Sequence, residues 1–221
     1  MSEHIRCIAL AGGIAQAPLV LPEFLAKRGY VRHELDRLGV ETRVADSDLH
    51  IETATVLRKH TPLNFWKPDE VAAYRKLFGL IPATPEPGSV IYLSRAGVTS
   101  EQIRAERSYR SDEIAEVVRH FGGTVVETAS MRIEDFAALA DKAETVIGDH
   151  GAAMFNMMQW RPKRIIEVVT DNWWSSCFVH LGLACDVAEH IVLRCNHEAF
   201  IKRLETVIAE GVILPENEPA I

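Results

Sequence analysis

From residue 89 onwards, short apolar runs alternate with stretches of helical length, and this alternation constrains the fold more than any other feature. Apolar runs occupy residues 89–94, 124–127, 145–148, 164–169 and 191–194. A repeating strand–helix order is typical of a parallel sheet covered by helices on both faces. The runs are nearly unbroken by polar residues, as expected of strands buried on both sides. The sequence therefore predicts a Rossmann-like, doubly wound α/β domain.

The helices between these strands are predicted from apolar residues spaced three and four apart. They fall at residues 112–121, 133–143, 152–160 and 197–209, with a shorter segment at 179–182. Ser111 is expected to cap the first helix, and Gly122-Gly123 to end it. Ligands of such folds bind beyond the carboxyl ends of the strands, so functional residues are expected there.

A domain boundary is predicted where three prolines and a glycine fall within residues 81–88. It separates residues 1–81, a reduced N-terminal α/β subdomain, from the domain at residues 89–221. The N-terminal part is expected to hold strands at 5–10 and 41–45 and helices at 23–38 and 69–78, while residues 50–59 fit neither pattern.

Charge and cysteine usage exclude several classes of protein. The formal net charge is −7 and the isoelectric point is near 5.7, which argues against nucleic-acid binding through bulk electrostatics. The four cysteines are irregularly spaced without a CxxC pair, so buried thiols are expected rather than a zinc site. No apolar run is long enough to span a membrane. The apolar stretch at residues 7–21 is interrupted by Gln16 and Pro18, and a cytoplasmic protein is expected.

The turn after the third of these strands is the strongest candidate site. The strand is expected to end at Gly148, Asp149 and His150 lie between two glycines, and a helix starts near Ala152. Glycines allow a ligand to approach the backbone, and the first N–H groups of a helix can bind an anion, with His150 as a further donor. The alternative is a tight turn with a capping aspartate. The glycine fingerprint of dinucleotide enzymes is absent, so NAD is not expected.

A basic segment follows the first of these strands. Arg95 comes directly after the strand, where a guanidinium could bind phosphate. Three further arginines follow before residue 111, at Arg104, Arg107 and Arg110. In an acidic protein this segment indicates an anionic ligand. The alternative is a solvated helix face, because Glu101 and Glu106 lie in the same segment.

Glu167 lies within the apolar run at residues 164–169, and a carboxylate there is costly to bury unless something binds it. It could accept hydrogen bonds from ribose or sugar hydroxyls. The alternative is an ion pair with Arg161, Lys163 or Arg164.

Two short patterns are better explained by structure than by function. Asp46-Ser-Asp48 matches an acid-x-acid metal motif, but three residues match by chance very often, and a turn after a strand is expected. Trp173-Trp174 could stack on a sugar or base, but paired aromatics more often lie in a core.

Taken together, these motifs make residues 92–186 resemble glycosyltransferase family 61. The matching motifs are Ser94-Arg95, Arg110 followed by Asp112-Glu113, the Gly148-Asp-His-Gly-Ala152 turn with Asn156, and Glu167. The segment at residues 173–186 also resembles the closing region of the family. Two departures are that Asp112 replaces the usual Asn, and that the N-terminal part is shorter than in most members.

The resemblance implies the GT-B type of architecture, with the nucleotide sugar on the C-terminal domain. It further implies inversion at the anomeric carbon, no cofactor and no metal, a nucleotide-sugar donor for which a UDP-sugar is the first expectation, and a glycan acceptor. Synthesis of a bacterial surface or capsular polysaccharide is the expected process. The residues expected to bind the donor are Arg95, Arg110, Glu113, Gly151, Ala152, Asn156 and Glu167.

The general base is left open between Asp149 and His150, with Asp46, Asp48 and His50 as candidates from the N-terminal part. Because that part is short, three alternatives are left open: the acceptor side is reduced, the chain is a fragment, or a partner protein or a second copy completes the acceptor side. The main alternative function is a non-catalytic module that binds a nucleotide sugar or a partner enzyme. A flavodoxin-like binder unrelated to sugars is a third interpretation.

Overall fold

A computed structural model describes residues 18–46, 48, 50, 52, 65–95, 109–128, 133–171 and 174–210. The strand predicted at 5–10, most of the segment at 50–59, and Arg104, Arg107 and Trp173 lie outside these residues. The chain forms two compact units, Met1–Ile81 and Pro82–Ile221, which are described separately below.

The first unit pairs two short parallel strands with three helices. Its elements are β1 (Leu19–Pro22), α1 (Glu23–Ala26), α2 (Gly29–Arg37), β2 (Thr42–Ala45) and α3 (Pro68–Leu77). A small core of Leu21, Val31, Leu35 and Val40 holds it together. The single helix predicted at 23–38 is wrong, because Lys27 and Arg28 form a turn that divides it into α1 and α2.

The second unit is a five-stranded parallel sheet with helical connections. Its elements are β3 (Glu86–Ser94), α4 (Ser111–His120), β4 (Thr124–Glu127), α5 (Ile133–Ala140), β5 (Ala143–Asp149), a 3-10 helix (Ala152–Gln159), β6 (Arg164–Val169), α6 (Cys177–Ala184), β7 (Glu189–Arg194) and α7 (Phe200–Glu210). The strand order is β4-β3-β5-β6-β7, and every pair is parallel. The prediction of a parallel α/β sheet is confirmed.

The strand order places the ligand crevice. The connection after β3 leads to β4, which lies on one side of β3. The later strands are added on the other side of β3. The order therefore reverses between β3 and β5, which is where doubly wound sheets bind ligands at the carboxyl ends of their strands. β3 ends at Ser94 and β5 at Asp149, so a ligand crevice is expected at these two strand ends.

Side chains alternate between the two faces of this sheet. Tyr92, Ile147 and Ile166 point to one face and share a buried core with residues of α4 and α7, among them Ile114 and Leu204. The residues directly before and after each of these in its own strand point to the other face. The 3-10 helix and α6 cover that face. At Gly148 this cover is so close that a Cβ atom would lie 2.1 Å from the sulfur of Met154.

Several predicted element ends differ from the structure. Ser111 does not cap α4: the helix begins at Ser111, and Arg110 precedes it in a left-handed conformation with φ of 53°. The helix predicted at 133–143 ends at Ala140, because Ala143 already pairs in β5. The element predicted at 152–160 is a 3-10 helix rather than an α-helix. The last helix starts at Phe200 rather than His197, because residues 197–199 form a turn.

Two further predictions concern cysteines and membrane spans. Cys177, Cys185 and Cys195 are buried thiols, as predicted, while Cys7 lies outside the described residues. In the part of the chain that the structure describes, no helix has both the length and the apolar character needed to cross a membrane.

Candidate active site

Asp149 ties the ends of β3 and β5 together at the crevice. Its Oδ1 accepts a hydrogen bond from the Tyr92 hydroxyl at 2.8 Å, and its Oδ2 accepts one from the backbone N–H of Arg95 at 2.9 Å. The side chain is only 1% exposed. Both carboxyl oxygens are therefore engaged, one by a side chain of β3 and the other by the first residue after it.

Burial raises the pKa of Asp149 to about 7, although the hydrogen bonds from Arg95 and Tyr92 and the charge of Arg95 oppose the rise. Burial and the neighbouring Asp149 also raise the pKa of Tyr92 far above its usual range, so this hydroxyl remains a donor. Of the two predicted base candidates in this turn, Asp149 is thus the one whose oxygens are already engaged.

His150, the next residue, is directed to the opposite face of the sheet. Its Nδ1 is hydrogen-bonded to Oε1 of Glu167, and its ring packs edge-on against Phe178 with 5.0 Å between ring centroids. An ionised carboxylate only accepts hydrogen bonds, so Nδ1 is the nitrogen that carries the proton. In the neutral ring the lone pair is then on Nε2, for which the described residues provide no partner. This is the tautomer that a general base requires.

Glu167 is completely buried and lies between two histidines. Its second oxygen, Oε2, is 2.9 Å from Nε2 of His190. Burial by itself raises the pKa of this carboxyl, but the hydrogen bonds from His150 and His190 outweigh burial and hold the pKa below its usual range. The carboxylate is therefore ionised, and both of its oxygens are occupied by imidazole donors.

The ion pairs that were an alternative for Glu167 are made by other residues. Arg164 pairs with Glu189 at 2.6 Å, and Lys163 with Glu144 at 3.6 Å. Glu167 is thus placed to orient His150, whereas the hydrogen bonds to sugar hydroxyls that the sequence suggested would require one of its histidine partners to leave.

Arg95 lies along the turn that follows β5. Its Nη1 donates to the backbone carbonyl of His150 at 3.1 Å, and the Tyr109 hydroxyl donates to the same oxygen at 3.0 Å. The guanidinium passes so close to Gly151 that a Cβ atom there would lie 2.1 Å from Nη1. A side chain at this position would therefore displace the guanidinium. The arrangement puts a partly exposed positive charge beside the start of the 3-10 helix, where Ala152 is exposed.

The other predicted donor-binding residues have local partners. Arg110 makes two hydrogen bonds to Glu113, at 2.7 and 2.5 Å, and a longer one of 3.3 Å to the carbonyl of Cys195. Its guanidinium also lies 5.4 Å from the centre of the Phe200 ring. These contacts link α4 to the end of β7 and the start of α7. Ligand binding by Arg110 and Glu113 remains a prediction that requires them to exchange partners.

Asn156 is likewise engaged within the 3-10 helix. Its amide donates to the carbonyl of Ala153 at 2.9 Å, and its side-chain oxygen accepts from Gln159 at the same distance. Its role in donor binding remains a prediction.

The remaining candidates belong to other parts of the chain. Asp46, Asp48 and His50 belong to the first unit. Among the described residues, no group of three or more histidine, cysteine, aspartate or glutamate side chains is arranged to hold a metal ion.

Trp174 is 53% exposed, so its predicted place in a core is wrong. It lies in the connection between β6 and α6.

Three residues of this network were missed by reasoning from the sequence: Tyr92, Tyr109 and His190. Tyr92 and His190 are polar residues in otherwise apolar strands, the same signal that identified Glu167. Tyr109 had no such signal, because its partner is a backbone carbonyl 41 residues away in the chain.

Comparison with known protein families gives a match. A family model described as glycosyltransferase 61 matches residues 9–166, which is more than half of the 221 residues. The match includes Arg95 and the turn at His150, and it ends one residue before Glu167. No curated protein matches the chain.

Proposed function

The chain belongs to glycosyltransferase family 61 and is a glycosyltransferase, and from this premise we propose that it transfers a sugar from a nucleotide-sugar donor to a glycan acceptor with inversion at the anomeric carbon. One observation carries the mechanism: at the reversal of the strand order, Nδ1 of His150 is hydrogen-bonded to the buried carboxylate of Glu167, which leaves Nε2 as the lone-pair nitrogen of the neutral ring.

Inverting transfer is a direct displacement that needs a base for the acceptor hydroxyl. The hydroxyl oxygen forms a bond to the anomeric carbon, while the bond from that carbon to the diphosphate oxygen breaks and its electron pair leaves with the diphosphate. We assign Nε2 of His150 as the group that takes the hydroxyl proton. Glu167 stabilises the imidazolium that results, in the way that a carboxylate supports histidine in other base-catalysed reactions.

The leaving diphosphate needs positive charge and N–H donors. Arg95 is held over the turn by Asp149 and by the carbonyl of His150. The N–H groups at the start of the 3-10 helix, from Gly151 and Ala152 onward, have no partner within that helix. A guanidinium together with backbone N–H groups can stabilise the charge that develops on the diphosphate. We propose that Arg95 takes the role that a divalent cation has in metal-dependent transferases.

The finer identity of the reaction is proposed from the family. The donor is a UDP-sugar, the architecture is of the GT-B type, the product is a bacterial surface or capsular polysaccharide, and a partner protein or a second copy completes the acceptor side. The match across residues 9–166 supports a two-domain organisation, since it includes residues of both compact units.

The test compares nucleotide binding with turnover in matched variants. UDP, GDP and CMP are titrated calorimetrically into the wild type, Arg95→Ala, His150→Ala and the exposed control Arg119→Ala. Release of nucleoside diphosphate from the corresponding nucleotide sugars is then measured with and without EDTA. We expect Arg95→Ala to weaken binding at least about tenfold, and His150→Ala to keep binding but lose turnover. EDTA should not change the rate at which nucleoside diphosphate is released.

Nucleotide binding that survives Arg95→Ala would place the diphosphate elsewhere. Full turnover in His150→Ala would remove this histidine as the base. Saturable binding with no turnover in the wild type, tested with a broad set of acceptors, would instead support a non-catalytic module that binds nucleotide sugars.

A further inference from the structure

His190, on β7, is the third member of the buried chain that begins at His150. Its Nε2 contacts Oε2 of Glu167 at 2.9 Å, and its side chain is only 6% exposed. His150 occupies the other oxygen of the same carboxylate. One completely buried glutamate on β6 is thus held between a histidine of β5 and a histidine of β7.

The register of the sheet shows that His190 cannot touch a ligand at the carboxyl edge. His190 pairs with Ile165 of β6, while Glu167 pairs with Val192. His190 therefore lies two residues closer than Glu167 to the amino end of the sheet. The crevice is at the opposite end, beyond Asp149. Any effect of His190 on the reaction must be transmitted through Glu167.

The ring of His190 is fixed by α6. A Cβ atom at Gly182 would lie 2.5 Å from its Nδ1, so the helix passes over the ring at a distance that only glycine permits. This nitrogen is buried and has no hydrogen-bond partner in the described part of the chain. A proton on Nδ1 would be a buried donor without an acceptor, which is costly. The proton is therefore on Nε2, where it is donated to Glu167.

The groups that face Glu167 determine its charge. They are His150, His190 and, at the start of α6, the Cys177 thiol, whose pKa is raised by burial and further raised by Glu167 itself. The thiol thus stays uncharged, and the two imidazole donors are what stabilises the carboxylate against the cost of burial. With one donor removed, burial favours protonation of the carboxyl group. A protonated Glu167 can donate to His150 Nδ1, which moves the imidazole proton to Nε2.

We propose that His190 is a positioning residue of the transferase: by donating to Oε2 of Glu167 it keeps the other carboxylate oxygen directed at Nδ1 of His150, so that the lone pair of the neutral His150 ring stays on Nε2. The inference rests on the proposed function in that His150 acts as the base. His190 itself takes no part in proton transfer to or from the substrate.

The tautomer of His150 can be observed without substrate, which separates this inference from the proposed function. Long-range proton–nitrogen correlation spectra are recorded on the full chain labelled at histidine, with His150→Ala used to assign the His150 signals. In the wild type we expect a protonated Nδ1 and an unprotonated Nε2. His190→Leu should move the proton to Nε2, and His190→Gln, whose amide replaces the Nε2 donor, should restore the wild-type pattern.

A pH profile gives a second measurement. UDP release from UDP-glucose, UDP-galactose, UDP-xylose and UDP-N-acetylglucosamine is followed from pH 5 to 9. In His190→Leu, the acid limb of the pH–rate profile should move to higher pH by about one unit. At pH values below the midpoint of that limb, the rate should therefore fall about tenfold, with KM for the donor unchanged. His190→Gln and the exposed control His120→Leu should follow the wild type. If His190→Leu does not fold, Gly182→Ala displaces the same ring and is measured in its place.

The outcomes separate the two hypotheses. An unchanged His150 tautomer in folded His190→Leu or Gly182→Ala overturns the positioning role, even if His150→Ala is inactive. A His190→Gln spectrum that matches His190→Leu also overturns it, because the donated hydrogen bond is then not what matters. A tautomer that depends on His190, found together with full turnover in His150→Ala, refutes the base assignment instead.

Discussion

Asp149→Asn tests whether the carboxylate that anchors Arg95 titrates near neutral pH. In the unfolded chain the pKa of this group has its ordinary value of 3.8, and in the folded protein burial raises it to about 7. Between these values the folded protein binds a proton that the unfolded chain does not. The stability that this group contributes is fully present below pH 3.8 and is lost as the pH rises to about 7.

The magnitude follows from the size of the rise. One pKa unit corresponds to about 1.4 kcal/mol, so a rise of about three units amounts to about 4 kcal/mol over the whole range. Between pH 4.5 and 8.5, the part of the range in which stability is readily measured, the loss is about 3 kcal/mol. Asparagine has the same shape and does not titrate. The asparagine side chain can accept only one of the two hydrogen bonds that Asp149 accepts. This loss changes the free energy of unfolding of the variant by a similar amount at every pH.

The assay is urea denaturation of both proteins at half-unit pH steps, with amide hydrogen exchange of β5 reporting on the second unit. The quantity to plot is the difference in free energy of unfolding between the wild type and Asp149→Asn. This difference should fall by about 3 kcal/mol from pH 4.5 to 8.5. The control is Asp186→Asn, which changes an exposed aspartate whose left-handed φ of 63° asparagine tolerates equally well. A difference that stays constant with pH would refute the reasoning, since Asp149 would then ionise normally despite its burial.

Two glycine substitutions on either side of Asp149 and His150 give further predictions. Gly151→Ala places a Cβ atom 2.1 Å from the guanidinium of Arg95, which is flexible and partly exposed. We expect the free energy of unfolding to change by less than about 1 kcal/mol. Calorimetry should show a loss of UDP binding similar to that of Arg95→Ala. Unchanged binding would show that the position of the guanidinium is not important. Gly148→Ala places a Cβ atom 2.1 Å from the sulfur of Met154, which is completely buried. We expect a destabilisation of about 1–3 kcal/mol in urea denaturation, and a negligible loss would mean that the 3-10 helix moves away freely.

Much of the second unit could be predicted from local patterns. β4 and β6 begin and end at the residues predicted, and α4 differs from its prediction by a single residue at each end. The reason is that unbroken apolar runs and helical spacing are properties of consecutive residues. The errors fall where a boundary depends on contacts between elements. Ala143 fits a helix by its spacing but pairs with β3, and Arg110 adopts a left-handed conformation before α4.

The candidate residues Arg95, His150 and Glu167 were also proposed from the sequence, because polar residues at strand ends or within apolar runs are conspicuous. The partners that each has in the structure were not predicted. Asp149 and His150 are neighbours in sequence and were equal candidates for the base, yet their side chains lie on opposite faces of the sheet. One binds Tyr92 and the Arg95 backbone, and the other binds Glu167.

The sequence by itself determined the fold class and the family, since both depend on patterns local to the chain. Only the tertiary structure decided that Nδ1 of His150 contacts one oxygen of Glu167 and that Nε2 of His190 contacts the other. Those facts depend on the register of β5 against β6 and of β6 against β7, which brings together residues 17 and 23 positions apart. A shift of one residue in either pairing would turn one partner to the other face, and no local pattern specifies that register.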